Sequence, residues 1–178
     1  MDRLILYLIM KNIYLIGFMG SGKTTIGKKL SSSLNLKFID TDNEIEKRNL
    51  MSIKDIFRTK GELFFRNEEA KVIKDISKLK NTIISTGGGL PCYNNLIETL
   101  NDSGITIYLN YDIDTLYQRL KNDDTRILLN KKENELKIYI KDLLFERKKH
   151  YNKSKYNILC NNLKKNIILR QINSLIVP

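Results

Sequence analysis

The chain has 178 residues, 42% of them hydrophobic and 29% charged, with two cysteines, one histidine and a formal net charge of +11. These values fit one soluble globular domain and exclude a disulfide framework, a disordered polymer and a multi-domain assembly. The charge admits a nucleic-acid partner, but lysines are scattered over nearly every segment and no aromatic-interleaved basic strand or known nucleic-acid module occurs.

Residues 4–10, Leu-Ile-Leu-Tyr-Leu-Ile-Met, form an apolar run after Arg3. It is too short to span a bilayer and has no small-residue cleavage site. The expectation is a short extension over residues 1–10, with Met10 as an alternative start, and a cytoplasmic protein. Ile13–Ile16 then reads as a buried strand. Gly17-Phe18-Met19-Gly20-Ser21-Gly22-Lys23-Thr24 follows, matching the phosphate-binding pattern G-x-x-x-x-G-K-[ST]. Ile26, Leu30 and Leu34 carry helical spacing over Thr25 to Leu34, so the strand–loop–helix context is complete. The glycines let several N–H groups converge on a phosphate, and the helix adds its positive end. Lys23 is placed to reach the β- and γ-phosphates, and the Thr24 hydroxyl to hold Mg²⁺. The loop calls for a nucleoside triphosphate.

Lys37–Asp40 is a short strand, ending Asp40-Thr41-Asp42. On a strand the i, i+2 spacing points both carboxylates to one side, as a metal site and proton acceptor would need. The plainer role for Asp42 is to cap the helix that follows. Polar helical segments run from Asn43 to Lys78, broken near Gly61. Within them Arg66 and Glu69 share a helix face, so Glu69 can fix a guanidinium poised for a carboxylate or phosphate. A strand over Asn81 to Thr86 leads into Gly87-Gly88-Gly89, more glycine than a tight turn needs and a sign of close ligand approach. A helix (Tyr93 to Asp102), a strand (Ile105–Leu109) and a helix from Asp112 to Lys121, capped by Asp112 or Asp114, come next. Asn122 to Asn134 has a loop composition. A long helix from Glu135 to Lys153, a strand at Tyr156–Cys160 and a last helix from Lys164 to Ile176 close the chain. Strands alternating with helices make an α/β fold with a parallel sheet. Cys92 and Cys160 are expected as small buried residues in a reducing compartment. His150 lies in a run of lysines, which predicts a solvated helix face.

The phosphate loop, Asp40-Thr41-Asp42, Gly61-Glu62…Phe65-Arg66…Glu69 and Gly87-Gly88-Gly89 resemble the shikimate kinase family in order and separation. Arg119, Arg126-Ile-Leu-Leu and Arg147…Tyr151 continue the likeness, which covers residues 12 to about 160. The resemblance implies a P-loop kinase three-layer sandwich whose five-stranded parallel sheet has the order 2-3-1-4-5, flanked by helices. It implies a single domain over 1–178, with a lid at about 121–134. The implied reaction is ATP-dependent phosphorylation of the 3-hydroxyl of shikimate, by a monomer with Mg²⁺ and no nucleic-acid or membrane partner. By resemblance, Gly20, Ser21, Gly22, Lys23, Thr24 and Thr25 hold ATP, with Arg119 against the adenine and Arg126 of the lid at the γ-phosphate. Arg66 and Arg147 grip the substrate carboxylate, while Asp42, Gly88 and Gly89 hold ring hydroxyls. Asp42 is then the base, Lys23 and Arg126 complete the catalytic set, and Thr24 holds Mg²⁺ with Asp40 in its outer shell. One departure is Ile127, where the family usually has proline after the lid arginine. The loss of a fixed φ frees the open lid. The competing expectations are a kinase for another hydroxy acid such as gluconate, and a silent nucleotide- or nucleic-acid-binding homologue.

Overall fold

The computed structural model describes residues 11–121 and 133–176. In chain order the elements are β1 (Asn12–Ile16), α1 (Lys23–Leu34), β2 (Lys37–Asp40), α2 (Thr41–Asn49), α3 (Ile53–Ile76), β3 (Thr82–Ser85), a 3₁₀ turn (Leu90–Cys92), α4 (Leu96–Ser103), β4 (Gly104–Asn110), α5 (Ile113–Leu120), α6 (Glu133–Tyr151), β5 (Tyr156–Leu159) and α7 (Lys165–Ile176). All strands pair in parallel, in the order β2-β3-β1-β4-β5. That is the order the resemblance implies.

The sheet is centred on β1 because β1 is apolar on both faces, as a strand covered on both sides must be. Its five residues are all buried. Ile13 sits in register with Ile83 of β3 and Ile105 of β4. Ile26 and Leu30 from α1, Val72 and Ile73 from α3, Leu116 from α5 and Ile168 and Ile172 from α7 join the strands in one core. Burying a side chain such as Leu30 contributes roughly 1.5–3 kcal/mol.

Local chemistry sets the element ends. Gly22 caps α1 at φ 82°, a left-handed position that suits glycine. Asn35 ends the same helix at φ 53°, with its N–H donating to the Ser31 carbonyl. Of the two cap candidates for α5 it is Asp112 that acts, its Oδ1 accepting from the Thr115 N–H at 2.7 Å. The expected break near Gly61 is present: its φ of 80° and ψ of 172° leave the helical region inside α3.

Three boundaries differ from the sequence reading. The polar stretch after β2 is two helices, separated at Leu50–Ser52 as well as kinked at Gly61. A 3₁₀ turn carrying Pro91 delays the start of α4 to Leu96, because proline and two left-handed asparagines, Asn94 and Asn95, interrupt the helix. The long helix α6 begins at Glu133, inside the stretch read as loop. Residues 1–10, together with Arg126 and Ile127 of the expected lid, lie outside the described residues.

Candidate active site

The carboxyl ends of parallel strands collect ligands, and here β1, β2 and β3 all end at one place. The phosphate loop leaves β1. Lys23, in the first turn of α1 and buried, donates from Nζ to the carbonyl oxygens of Gly17 and Phe18, each at 2.9 Å. Its ammonium is thereby held within the loop. Arg119 of α5 reaches the same loop, donating from Nη1 to the Gly20 carbonyl at 3.2 Å. Its guanidinium lies 4.1 Å from the centre of the Tyr111 ring, a cation–π contact that sets its direction. Residues far apart in sequence therefore meet at the phosphate loop.

The Thr24 hydroxyl donates to Asp40 Oδ2 at 2.7 Å and lies 3.3 Å from the Ser85 hydroxyl. This group of hard oxygens suits a Mg²⁺ ion that also takes phosphate oxygens. Among the described residues, no cluster of three or more His, Cys, Asp or Glu side chains forms a cage of its own. Mg²⁺ typically binds through one or two protein oxygens plus the nucleotide, so the donor set fits it.

Asp40 and Asp42 do not share a strand face. Asp40 ends β2 and caps α2, its Oδ1 accepting the Asp42 N–H at 3.1 Å, while Asp42 stands in the first helical turn. The cap is thus Asp40, not Asp42. The helix begins at Thr41, two residues before the expected Asn43, and this turn carries Asp42 toward the triple glycine. An ideal Cβ on Gly87 would stand 2.7 Å from both Asp42 Oδ1 and Glu69 Oε1. On Gly88 it would meet the backbone nitrogen of Met19 at 3.3 Å and Arg147 Nη1 at 3.4 Å, and on Gly89 it would meet Arg66 Nη1 at 2.5 Å. The glycines therefore make room for different polar side chains: Asp42 and Glu69 at Gly87, Arg147 at Gly88 and Arg66 at Gly89. The backbone does approach other groups closely, as the glycine run predicts.

Arg66 donates from Nη1 to Glu69 Oε2 at 2.7 Å, and from Nε and Nη2 to Glu62 Oε1 at 3.2 and 2.9 Å. Glu69 is fully buried, and burial pushes its carboxyl up to about 7 although Arg66 pulls the other way. Arg147 of α6 sits 5.7 Å from the centre of the Phe18 ring. One turn on, the buried Tyr151 hydroxyl donates to the Gly88 carbonyl at 2.6 Å, tying α6 to the glycines. Burial pushes that phenol well above its ordinary value. Glu69 Oε1 and Arg147 Nη1 are buried and have no hydrogen-bond partner among the described residues.

A cavity of about 360 Å³ opens beside these groups, lined by Arg66, Gly89, Cys92, Tyr93, Arg147 and His150. His150 is half-buried and lines this cavity, while Lys148 and Lys149 beside it are exposed. The lysine run obscured the spacing that matters: His150 is three residues from Arg147 and shares its side of the helix. Cys92 is partly buried, with its thiol pushed up to about 11 by burial, and Cys160 is fully buried. Ser85, Phe18, Tyr111 and Glu62 also shape the site. Ser85, at the carboxyl end of a strand two residues before the glycines, could have been found from position alone.

The shikimate kinase family model matches residues 19–176. The chain belongs to the shikimate kinase family. It is 46% identical to the shikimate kinase of Persephonella marina over 142 residues, 80% of this chain and 84% of that protein. Its structure resembles that of the Acinetobacter baumannii shikimate kinase in complex with shikimate, with a TM-score of 0.88, 34% identity and coverage of 98% of this chain and 97% of that one. A gluconokinase from Sinorhizobium meliloti has a TM-score of 0.59 at 13% identity, covering 94% of this chain and 92% of that one, a likeness of fold alone. Family membership makes the chain an ATP-dependent phosphotransferase, and gluconate is not favoured as its acceptor. No described helix is long and apolar enough to cross a membrane.

Proposed function

We propose that this site transfers the γ-phosphoryl group of ATP to the 3-hydroxyl of shikimate, giving shikimate 3-phosphate and ADP on the route to aromatic amino acids. The observation that carries the reading is the convergence of Asp42, Glu69, Arg66 and Arg147 on Gly87–Gly89 beside the phosphate loop. An acid with several hydroxyls needs what this pocket offers: two guanidinium groups for the carboxylate, and a carboxylate and backbone for the hydroxyls.

Asp42 accepts the proton of the 3-hydroxyl while that oxygen forms its bond to the γ-phosphorus and the bond to the ADP oxygen breaks. Gly20, Ser21, Gly22, Thr24 and Thr25 hold the phosphates, and the Lys23 ammonium moves from the loop carbonyls to the phosphate oxygens. Thr24 and Asp40 would hold Mg²⁺, which would supply neutralisation of the phosphate charge. Arg119 orders the adenine end through its Tyr111 and Gly20 contacts. Arg66 and Arg147 take the carboxylate, and Gly88 and Gly89 the ring hydroxyls. Arg126, which lies outside the described residues, is assigned to the transferred γ-phosphoryl group, whose charge a guanidinium neutralises.

The same reading takes residues 1–178 as one catalytic domain, working as a cytoplasmic monomer. Its positive charge steers anionic substrates and not nucleic acid. The test is ADP release from ATP and Mg²⁺ with shikimate, quinate or gluconate, for wild type and Arg66→Ala. Shikimate is expected to give the highest kcat/KM, and Arg66→Ala to lower it by roughly 10- to 150-fold, chiefly through KM. Turnover indifferent to shikimate would overturn the assignment.

A further inference from the structure

Every backbone carbonyl of Gly87–Gly89 is engaged. The Gly87 oxygen accepts the Leu90 N–H at 3.2 Å, the Gly89 oxygen the Cys92 N–H at 3.0 Å, and the Gly88 oxygen the Tyr151 hydroxyl at 2.6 Å. The Gly87 N–H donates to Thr41 Oγ1 at 2.9 Å. The N–H groups of Gly88 and Gly89 donate to nothing among the described residues, and both glycines are partly open to solvent. What the run offers an acceptor is therefore two donors. Gly89 also lines the cavity beside Arg66 and Arg147.

The bond from Tyr151 joins positions 63 apart in the chain. The residue is fully buried, and its ring packs on Tyr108 of β4 with centroids 5.0 Å apart, which leaves the hydroxyl little freedom. Burial holds the phenol well above its ordinary pKa, so it remains a donor near pH 7. A trans peptide is planar, with its C=O and N–H pointing opposite ways, and no described peptide bond is cis. Fixing the Gly88 oxygen toward Tyr151 therefore fixes the Gly89 N–H away from it. A peptide flanked by two glycines would otherwise turn easily. We propose that Tyr151 is a positioning residue of the reaction: by holding the Gly88 carbonyl it aims the Gly89 N–H at a ring hydroxyl other than the one phosphorylated. A donor on the attacking oxygen would draw on the lone pair that meets phosphorus, and Asp42 already takes that hydroxyl. This rests on the acceptor assignment above.

The test is steady-state kinetics of wild type and Tyr151→Phe with shikimate, 4-deoxyshikimate and 5-deoxyshikimate. Phenylalanine keeps the ring and its packing and removes only the donor. The kcat/KM for shikimate is expected to fall about tenfold, as the loss of one aimed hydrogen bond implies, while KM for ATP holds within about twofold. The analogue without the hydroxyl that Gly89 meets makes no such bond, so for one of the two the fall should be less than about twofold. Loosened packing would instead lower all three acceptors alike. An unchanged kcat/KM for shikimate, an equal fall for all three or a parallel rise in KM for ATP overturns the proposal. Should Tyr151→Phe not fold, wild type carrying nitrogen-15 glycine bears the test. Its Gly89 amide resonance should move when shikimate is added in the presence of ADP, and a resonance that stays in place overturns the proposal. Wild type that binds ATP yet does not turn over shikimate would remove the acceptor assignment, and this role with it.

Discussion

Glu69 shows how one buried carboxyl can serve a site and cost stability. It anchors Arg66 at 2.7 Å with a side chain fully removed from water. Burial outweighs the nearby guanidinium and raises its pKa from 4.5 to about 7. The folded state therefore binds the proton more tightly than the unfolded chain does. The resulting stability is fully present below about pH 4.5 and is lost as pH rises through about 7, a change on the order of 3 kcal/mol. Glu69→Gln has no such proton, and urea unfolding between about pH 4.5 and 8 should show wild type losing stability relative to it. A difference that stays flat with pH would mean that the carboxyl is not penalised by its burial. At this scale the sequence was legible wherever a residue's partner lay within one helical turn, as for Arg66 and Glu69. Ser85 and Phe18 were missed because the groups they meet, the Thr24 hydroxyl and the Arg147 guanidinium, are distant in the chain.

Asp40 joins two elements and holds two roles. It closes β2, caps α2 through Oδ1 and takes the Thr24 hydroxyl on Oδ2. Asparagine caps a helix about as well as aspartate does, whereas alanine costs about 1 kcal/mol. Asp40→Asn is therefore expected to keep the wild-type melting temperature while raising the Mg²⁺ concentration needed for half-maximal activity. Asp40→Ala should lose on both counts. Equal melting temperatures for the two variants would remove the capping role, and an unchanged Mg²⁺ requirement would remove the metal role. The elements themselves were largely readable, since buried parallel strands are short apolar runs and the helices keep their 3.6-residue spacing. The start of α2 was not. Asp-Thr-Asp fits a strand end and a helix start equally well, and only the pairing of Asp40 with Ser85 across β2 and β3 decides between them.

At the scale of the whole molecule, the net charge of +11 suits a protein that gathers two anions, ATP and a carboxylic acid. Raising KCl from about 50 mM to about 500 mM should increase KM for both substrates several-fold and leave kcat nearly unchanged, because salt screens approach more than it does a closed site. A kcat that falls in step would place the charge effect in the chemical step instead. The sequence by itself determined the alternating α/β plan, the phosphate loop, the acceptor arginine and the glycine run. Each of these is written in local periodicity or in residue types that only one backbone geometry or ligand chemistry requires. Tertiary structure alone decided that the glycine run makes room for Asp42, Glu69, Arg147 and Arg66, that Glu69 is buried deeply enough for its carboxyl to be pushed up to about 7, and that His150 lines the cavity beside Arg66 and Arg147. Those facts depend on how α3 and α6 pack around the end of β3, and packing between distant segments leaves no period in the chain.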